Sequence, residues 1–99
     1  MNVEQEIETK SVAYATRRGF LNYKLDKLPG KKGLDQMFLG CDGIHLFVEF
    51  KAPGKKPTKK QMREIERLED LGHACYLIDD YSDFQKLIKR CRYSRFGAE

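Results

Sequence analysis

The segment from 34 to 51 constrains the fold most, because two apolar, β-prone stretches lie there on either side of a short connection. The stretches are 34–39 and 44–51, and Gly40-Cys41-Asp42-Gly43 separates them. Short connections that contain glycine join antiparallel strands into hairpins. A hairpin that turns about Asp42 places Leu39 opposite His45 and Met37 opposite Phe47. The sequence therefore predicts a β-hairpin with a defined register at the centre of the protein.

Upstream of this hairpin, the pattern predicts one helix and one further strand. Apolar residues at helical spacing predict a helix over 3–18, which stops at Gly19. Alternating residues predict a strand over 20–25. A basic loop over 26–33 follows, with Pro29-Gly30 as its turn. The hairpin is therefore preceded by a helix and a strand.

Downstream of the hairpin, two patterns of helix capping are present. Thr58-Lys59-Lys60-Gln61 is a capping box that opens a helix ending at Gly72. A strand is predicted over 74–78, and Ser82-Asp83-Phe84-Gln85 is interpreted as a second box that opens the last helix. The order is αβββαβα, which predicts an α/β fold, and the chain is interpreted as a single domain over 1–99.

Composition excludes several classes of protein and favours a polyanionic partner. Lys+Arg 19 against Asp+Glu 15 gives a net charge of +4. No apolar run approaches the roughly 18 residues of a membrane span, and three glutamates among the first ten residues are unlike a signal peptide, so we expect a cytoplasmic protein without a membrane partner. His45 and His73 have no Cys or His partner at ligand spacing and are interpreted as structural, so any metal is expected on carboxylates.

Three charged residues of the hairpin are predicted to lie on one face. Glu49 and Lys51 share a face of the second strand, and the register places Asp35 directly across from Glu49. Two facing carboxylates repel each other unless a cation lies between them, and a hard divalent ion with oxygen ligands, Mg²⁺ or Mn²⁺, is the candidate. A lysine beside such an ion can contact a phosphate or orient a water molecule. The arrangement is typical of phosphodiester cleavage.

These residues resemble a known family. Asp35 followed by Glu49-Phe50-Lys51 is similar to the D…E-x-K signature of the PD-(D/E)xK nuclease superfamily, and a closer resemblance is to the phage-type, stand-alone members of the VRR-NUC (virus-type replication-repair nuclease) family. The residues that carry it are Glu4-x-x-Ile7-Glu8, Lys24, Pro29-Gly30-Lys31-Lys32-Gly33, Phe47-Val48-Glu49-Phe50-Lys51-Ala52-Pro53-Gly54, Gln61, and Leu71-Gly72-His73 leading into Tyr76-Leu77-Ile78-Asp79. The resemblance implies a restriction-endonuclease-like αβββαβ(α) core, with a central mixed sheet flanked by helices.

The resemblance also implies the roles of individual residues. A glutamate of the first helix is expected to complete the metal site, and Glu4 is preferred, with Glu8 one turn later as the alternative. The backbone carbonyl of Phe50 is a further expected ligand, and Gln61 and Lys24 are expected to support the site or to hold the scissile phosphate. The chain lacks the proline that the family usually has before its aspartate. Asp35 still matches best, and Asp42, in the predicted turn, is the alternative.

A metal-dependent DNA endonuclease is therefore expected, with Asp35, Glu49, Lys51 and Gln61 as catalytic residues. Family resemblance implies a homodimer that acts on branched DNA such as Holliday junctions, in the host cytoplasm if the chain is phage-encoded. Lysines that would contact the DNA backbone are Lys24, Lys31, Lys32, Lys55, Lys56, Lys59 and Lys60. Two alternatives stay open: a non-catalytic nucleic-acid-binding module with the same fold, and a small protein-interaction subunit.

Overall fold

The computed structural model describes residues 1–25 and 34–95, with side chains up to residue 91. The predicted basic loop 26–33, which contains Lys31 and Lys32, lies outside the described residues. Within them, the elements follow the predicted order: α1 (Val3–Arg17), β1 (Leu21–Lys24), β2 (Gln36–Leu39), a 3₁₀ turn (Cys41–Gly43), β3 (His45–Phe50), α2 (Lys59–Asp70), β4 (Cys75–Ile78) and α3 (Tyr81–Arg95).

The four strands form one mixed sheet in the order β1-β2-β3-β4. β2 is antiparallel to both β1 and β3, and Met37 faces Phe47 while Leu39 faces His45, so the predicted hairpin register is confirmed. β3 and β4 are parallel, because α2 carries the chain back along the sheet between them. The carboxyl end of β3 therefore lies beside the carboxyl end of β4.

Side-chain alternation gives the sheet two different faces. One face carries Phe38, Val48 and Phe50, which are fully buried in the main core together with Phe84 and Ile88 of α3. The core also contains residues of α1, so both of these helices cover this face. The opposite face carries Glu49, which α2 contacts through Gln61. The sheet is thus flanked by helices on both sides, as expected for an α/β fold.

Helix ends follow local hydrogen bonding, and one prediction about them is wrong. The Thr58 capping box of α2 is present, with the Gln61 N–H donating to Thr58 Oγ1 at 3.1 Å. The last helix begins at Tyr81, one residue before the predicted box at Ser82. Asp80 lies ahead of the helix, and its carboxylate accepts hydrogen bonds from both the N–H and the hydroxyl of Ser82. A carboxylate is a strong acceptor at a helix start, and Ser82 is thereby drawn into the first turn.

Among the residues that the structure describes, no helix combines the length and the apolar character needed to cross a membrane.

Candidate active site

Asp35 and Glu49 lie together at the carboxyl end of β3. Asp35 immediately precedes β2, and its Oδ2 accepts a hydrogen bond of 3.0 Å from the backbone N–H of Phe50. This bond ties the aspartate to the last residue of β3, next to Glu49 in the chain. The two carboxylates are thereby held together where β2 begins and β3 ends.

The Glu49 carboxylate is buried and asymmetrically paired. The residue is only 2% exposed. Its Oε2 accepts a hydrogen bond of 2.7 Å from Gln61 Nε2 and lies 3.3 Å from the ammonium of Lys51. Its Oε1 is buried and has no hydrogen-bond partner among the described residues. A buried acceptor without a donor is costly, and it is a position where a cation would be favoured.

Burial and charge change the acidity of Glu49. Removal from water and, second to it, the negative charge of Asp35 outweigh the lowering effect of Lys51 and raise its pKa from 4.5 to about 7. Both causes penalise the ionised form. A divalent cation beside the two carboxylates would offset this penalty.

Gln61 connects the start of α2 to the carboxylate. Its Oε1 accepts from the backbone N–H of Thr58 at 2.9 Å, which completes the capping box, while its Nε2 donates to Glu49. The same amide therefore caps a helix and orients a carboxylate. A single orientation of the Gln61 amide makes both contacts. The capping box therefore fixes the position of the Gln61 Nε2 that donates to Glu49.

On α1, the structure places Glu8 rather than Glu4 against the sheet. Glu8 accepts a hydrogen bond from Gln36 Nε2 and lies 3.7 Å from the Lys24 ammonium. Glu4 is partly exposed in the first turn, with no hydrogen bond or ion pair among the described residues. Gln36, which follows Asp35, is 2% exposed and also accepts from Asn22 at 3.1 Å.

Sequence reasoning missed Gln36. The signal that could have found it is a polar residue at a core-facing position, two residues before Phe38 on the same side of β2. A cleft of about 300 Å³ opens beside it, lined by Glu8, Thr9, Val12, Asn22, Lys24 and Gln36. The helix carboxylate thus approaches the sheet next to Asp35, but from the face opposite to Glu49.

Comparison with known proteins identifies the family. A solved structure described as "VRR_NUC domain" is similar to 90% of this chain and 97% of its own, with a TM-score of 0.81 and 26% sequence identity. The phage protein "Putative nuclease p44", from Acyrthosiphon pisum secondary endosymbiont phage 1, is 40% identical over 77 residues, which cover 77% of this chain and 82% of the relative. The chain belongs to the VRR-NUC family. No family model matches the sequence.

The donor atoms at this VRR-NUC site suit a hard divalent ion. Asp35 and Glu49 provide carboxylate oxygens. Because the N–H of Phe50 points toward Asp35, the carbonyl of the same strand residue is directed to the same side. No group of three His, Cys, Asp or Glu side chains suited to a metal is found within 1–25 and 34–91. Two carboxylates and a carbonyl, with water at other positions, are a donor set that suits a hard divalent cation.

Four of the predicted basic residues follow Glu49 in the chain, between the end of β3 and the first turn of α2. Lys55, Lys56, Lys59 and Lys60 are exposed, in the loop after β3 and at the start of α2. This loop is held at the site, because the Gly54 N–H donates to Asp79 at 3.2 Å and the Lys51 N–H donates to the Ile78 carbonyl at 2.9 Å.

Asp42, the alternative to Asp35, lies in the 3₁₀ turn before β3, at the opposite end of that strand from Glu49.

Proposed function

We propose that this VRR-NUC chain is a metal-dependent endonuclease that hydrolyses phosphodiester bonds in DNA. The observation that carries the proposal is the buried Glu49 carboxylate, which Gln61 and Lys51 hold at one oxygen while the other has no hydrogen-bond partner among the described residues. A purely structural carboxylate in a buried position is normally paired at both oxygens. This geometry supports a binding site for a cation.

Asp35, Glu49 and the Phe50 carbonyl would hold Mg²⁺ or Mn²⁺. When bound, such an ion makes water a better nucleophile and polarises a phosphoryl oxygen. Of Glu4 and Glu8 on α1, Glu8 is the better candidate for an additional role, because it contacts Gln36 next to Asp35. Glu8 would act from the cleft side, with Lys24 beside it to contact a phosphate.

Lys51 would act on the reacting phosphate. Its side chain is mostly buried, at 14% exposure, and its ammonium lies 3.3 Å from Glu49 Oε2. A cation in this position neutralises the charge that develops on phosphoryl oxygens during hydrolysis, and it can orient the attacking water. Gln61 would keep Glu49 in the orientation that binds the ion, since its amide is fixed by the α2 capping box.

DNA is proposed to bind through its backbone along the exposed lysines. Lys55, Lys56, Lys59 and Lys60 are exposed on the segment that leads from β3 into α2, and lysines bind phosphates without reading base sequence. Branched DNA, such as a four-way junction, is the proposed substrate, and a homodimer would present two sites to two strands. The chain is proposed to act in the cytoplasm, the host cytoplasm if it is phage-encoded.

A cleavage assay tests this proposal. A four-way junction, a flap and a linear duplex are incubated with the protein in Mg²⁺, Mn²⁺ or EDTA. The wild type, Glu49→Gln and Lys51→Ala are compared with two controls, Glu66→Gln on the exposed side of α2 and Lys89→Ala on α3. We expect metal-dependent cleavage by the wild type and both controls, and loss of at least a hundredfold in rate in the two site variants.

Three results would contradict the proposal, each in a different part. Cleavage that persists in EDTA or in Glu49→Gln would refute the role of the carboxylates. Salt-sensitive binding of the junction without cleavage in any metal would instead support the non-catalytic nucleic-acid-binding alternative. Equal cleavage of all three DNA structures would leave the nuclease assignment in place and refute the preference for branched DNA.

A further inference from the structure

The structure brings together two histidines that lie far apart in the sequence. Phe47 pairs with Cys75 in the parallel β3-β4 ladder, so His45 and His73, two residues earlier on each chain segment, are neighbours. The Nε2 of His45 lies 2.9 Å from the Nδ1 of His73. The reason for treating both histidines as isolated, the lack of a partner, is therefore wrong. Each histidine has the other as its partner, because the parallel pairing of β3 with β4 brings two distant parts of the sequence together.

The hydrogen bonds determine which nitrogens carry lone pairs. His45 Nδ1 lies 3.1 Å from the carbonyl oxygen of Gly43, which can only accept, so Nδ1 carries the proton and the neutral ring has its lone pair on Nε2. Histidines that bind metals are typically oriented in this way, with the second ring nitrogen donating to a backbone carbonyl. The Nδ1 of His73 faces this lone pair and donates to it when Nδ1 carries the proton. In the other neutral tautomer, with the proton on Nε2, His73 Nδ1 would present a second lone pair toward His45 Nε2.

The spacing of the two rings matches that of a pair of metal-bound imidazoles. Two imidazoles on Zn²⁺ at the tetrahedral angle, with Zn–N distances near 2.05 Å, have ring centres about 5.2 Å apart. The ring centres of His45 and His73 are 5.1 Å apart. Both rings pack against Phe47, at 6.3 and 5.6 Å between ring centres.

Charge around the pair favours a cation. Cys75 lies two residues beyond His73, and Glu69 and Glu64 of α2 act on its thiol. The glutamates therefore add negative charge on the side of the sheet that carries Cys75 and His73.

We infer that His45 and His73 form a second metal site, a two-imidazole site for a borderline divalent transition-metal ion, with Zn²⁺ as the first candidate. It lies about 13 Å from Glu49, four residues away along β3. Imidazole nitrogens suit Zn²⁺, whereas carboxylate and carbonyl oxygens suit Mg²⁺ and Mn²⁺, so the two sites select different ions. A bound ion would fasten the start of β3 to the segment before β4.

Side-chain NMR of the whole chain with zinc sulfate tests this inference directly. The chain contains only two histidines, so two imidazole spin systems report on the entire site. We expect one equivalent of Zn²⁺ to shift both rings together, with His45 keeping its proton on Nδ1. Millimolar Mg²⁺ should shift neither ring. His73→Gln should lower the zinc affinity at least tenfold and remove the response of His45.

Three control variants separate this site from other zinc ligands. Cys41→Ser and Cys75→Ser remove the two nearby thiols, and Glu49→Gln changes the carboxylate site; all three should retain both the affinity and the paired ring shifts. The inference is refuted if only one ring responds to Zn²⁺, or if zinc affinity is lost in Glu49→Gln or a cysteine variant. If His73→Gln does not fold, the paired response of the wild-type rings still decides the question, because it needs no variant.

Discussion

Replacing Glu49 with glutamine should stabilise the fold at neutral and higher pH, although it removes the carboxylate proposed for catalysis. Burial and the charge of Asp35 raise the pKa of Glu49 from 4.5 to about 7. Glutamine has nearly the same shape and retains an acceptor for Gln61, but it carries no charge at any pH. The comparison of the two proteins therefore isolates the free energy of ionising this carboxylate inside the fold.

The sign and size of the effect follow from proton linkage. Between pH 4.5 and about pH 7, Glu49 binds a proton in the folded state but not in the unfolded state. The free energy of unfolding of the wild type therefore falls as pH rises through this window, relative to Glu49→Gln. The shift in pKa corresponds to about 3 kcal/mol, which is fully expressed above the folded pKa and absent below the unfolded one.

Urea unfolding in EDTA, from about pH 4 to about pH 8, measures this difference. We expect the stability of Glu49→Gln minus that of the wild type to increase by about 3 kcal/mol across the range. The free energy of unfolding of the matched control Glu66→Gln, at an exposed position of α2, should change with pH in the same way as that of the wild type. Adding Mn²⁺ should stabilise the wild type and leave Glu49→Gln nearly unchanged. A stability difference that does not vary with pH would refute the assignment of Glu49 as a buried, charge-strained carboxylate.

Three further predictions concern the helix cap, the core and the DNA contacts. Thr58→Ala and Gln61→Ala should each lower the free energy of unfolding by roughly 1 kcal/mol through the lost capping box, but only Gln61→Ala should also slow cleavage, since only it removes the donor to Glu49. Equal cleavage rates in the two variants would contradict this. Phe38→Ala should cost about 3–5 kcal/mol in urea unfolding, because Phe38 is fully buried against Phe50 and Phe84. The double variant Lys59→Ala with Lys60→Ala should weaken junction binding and lower the slope of log affinity against log salt by about 2, whereas Lys89→Ala should leave the slope unchanged.

Much of the fold was readable from the sequence, because it depends on short-range patterns. The spacing about Asp42 predicted the register of the hairpin, since turn and alternation fix which residues face each other. The box from Thr58 to Gln61 predicted the start of α2 for the same reason. The last helix was placed correctly, but its cap was not, because the Asp80 carboxylate accepts from both the N–H and the hydroxyl of Ser82.

The sequence by itself determined which residues share a strand face, and so it indicated Asp35, Glu49 and Lys51 as a group. Only the tertiary structure decided the environment of that group: α2 folds over the sheet and brings Gln61 to a Glu49 carboxylate that is buried. It also decided that Glu8 meets Gln36 and that His45 meets His73. Side-chain alternation and helix capping depend on residues that are close in the sequence, so a local sequence pattern can predict them. Burial and pairing between distant segments depend on how the helices pack, and no local sequence pattern predicts that.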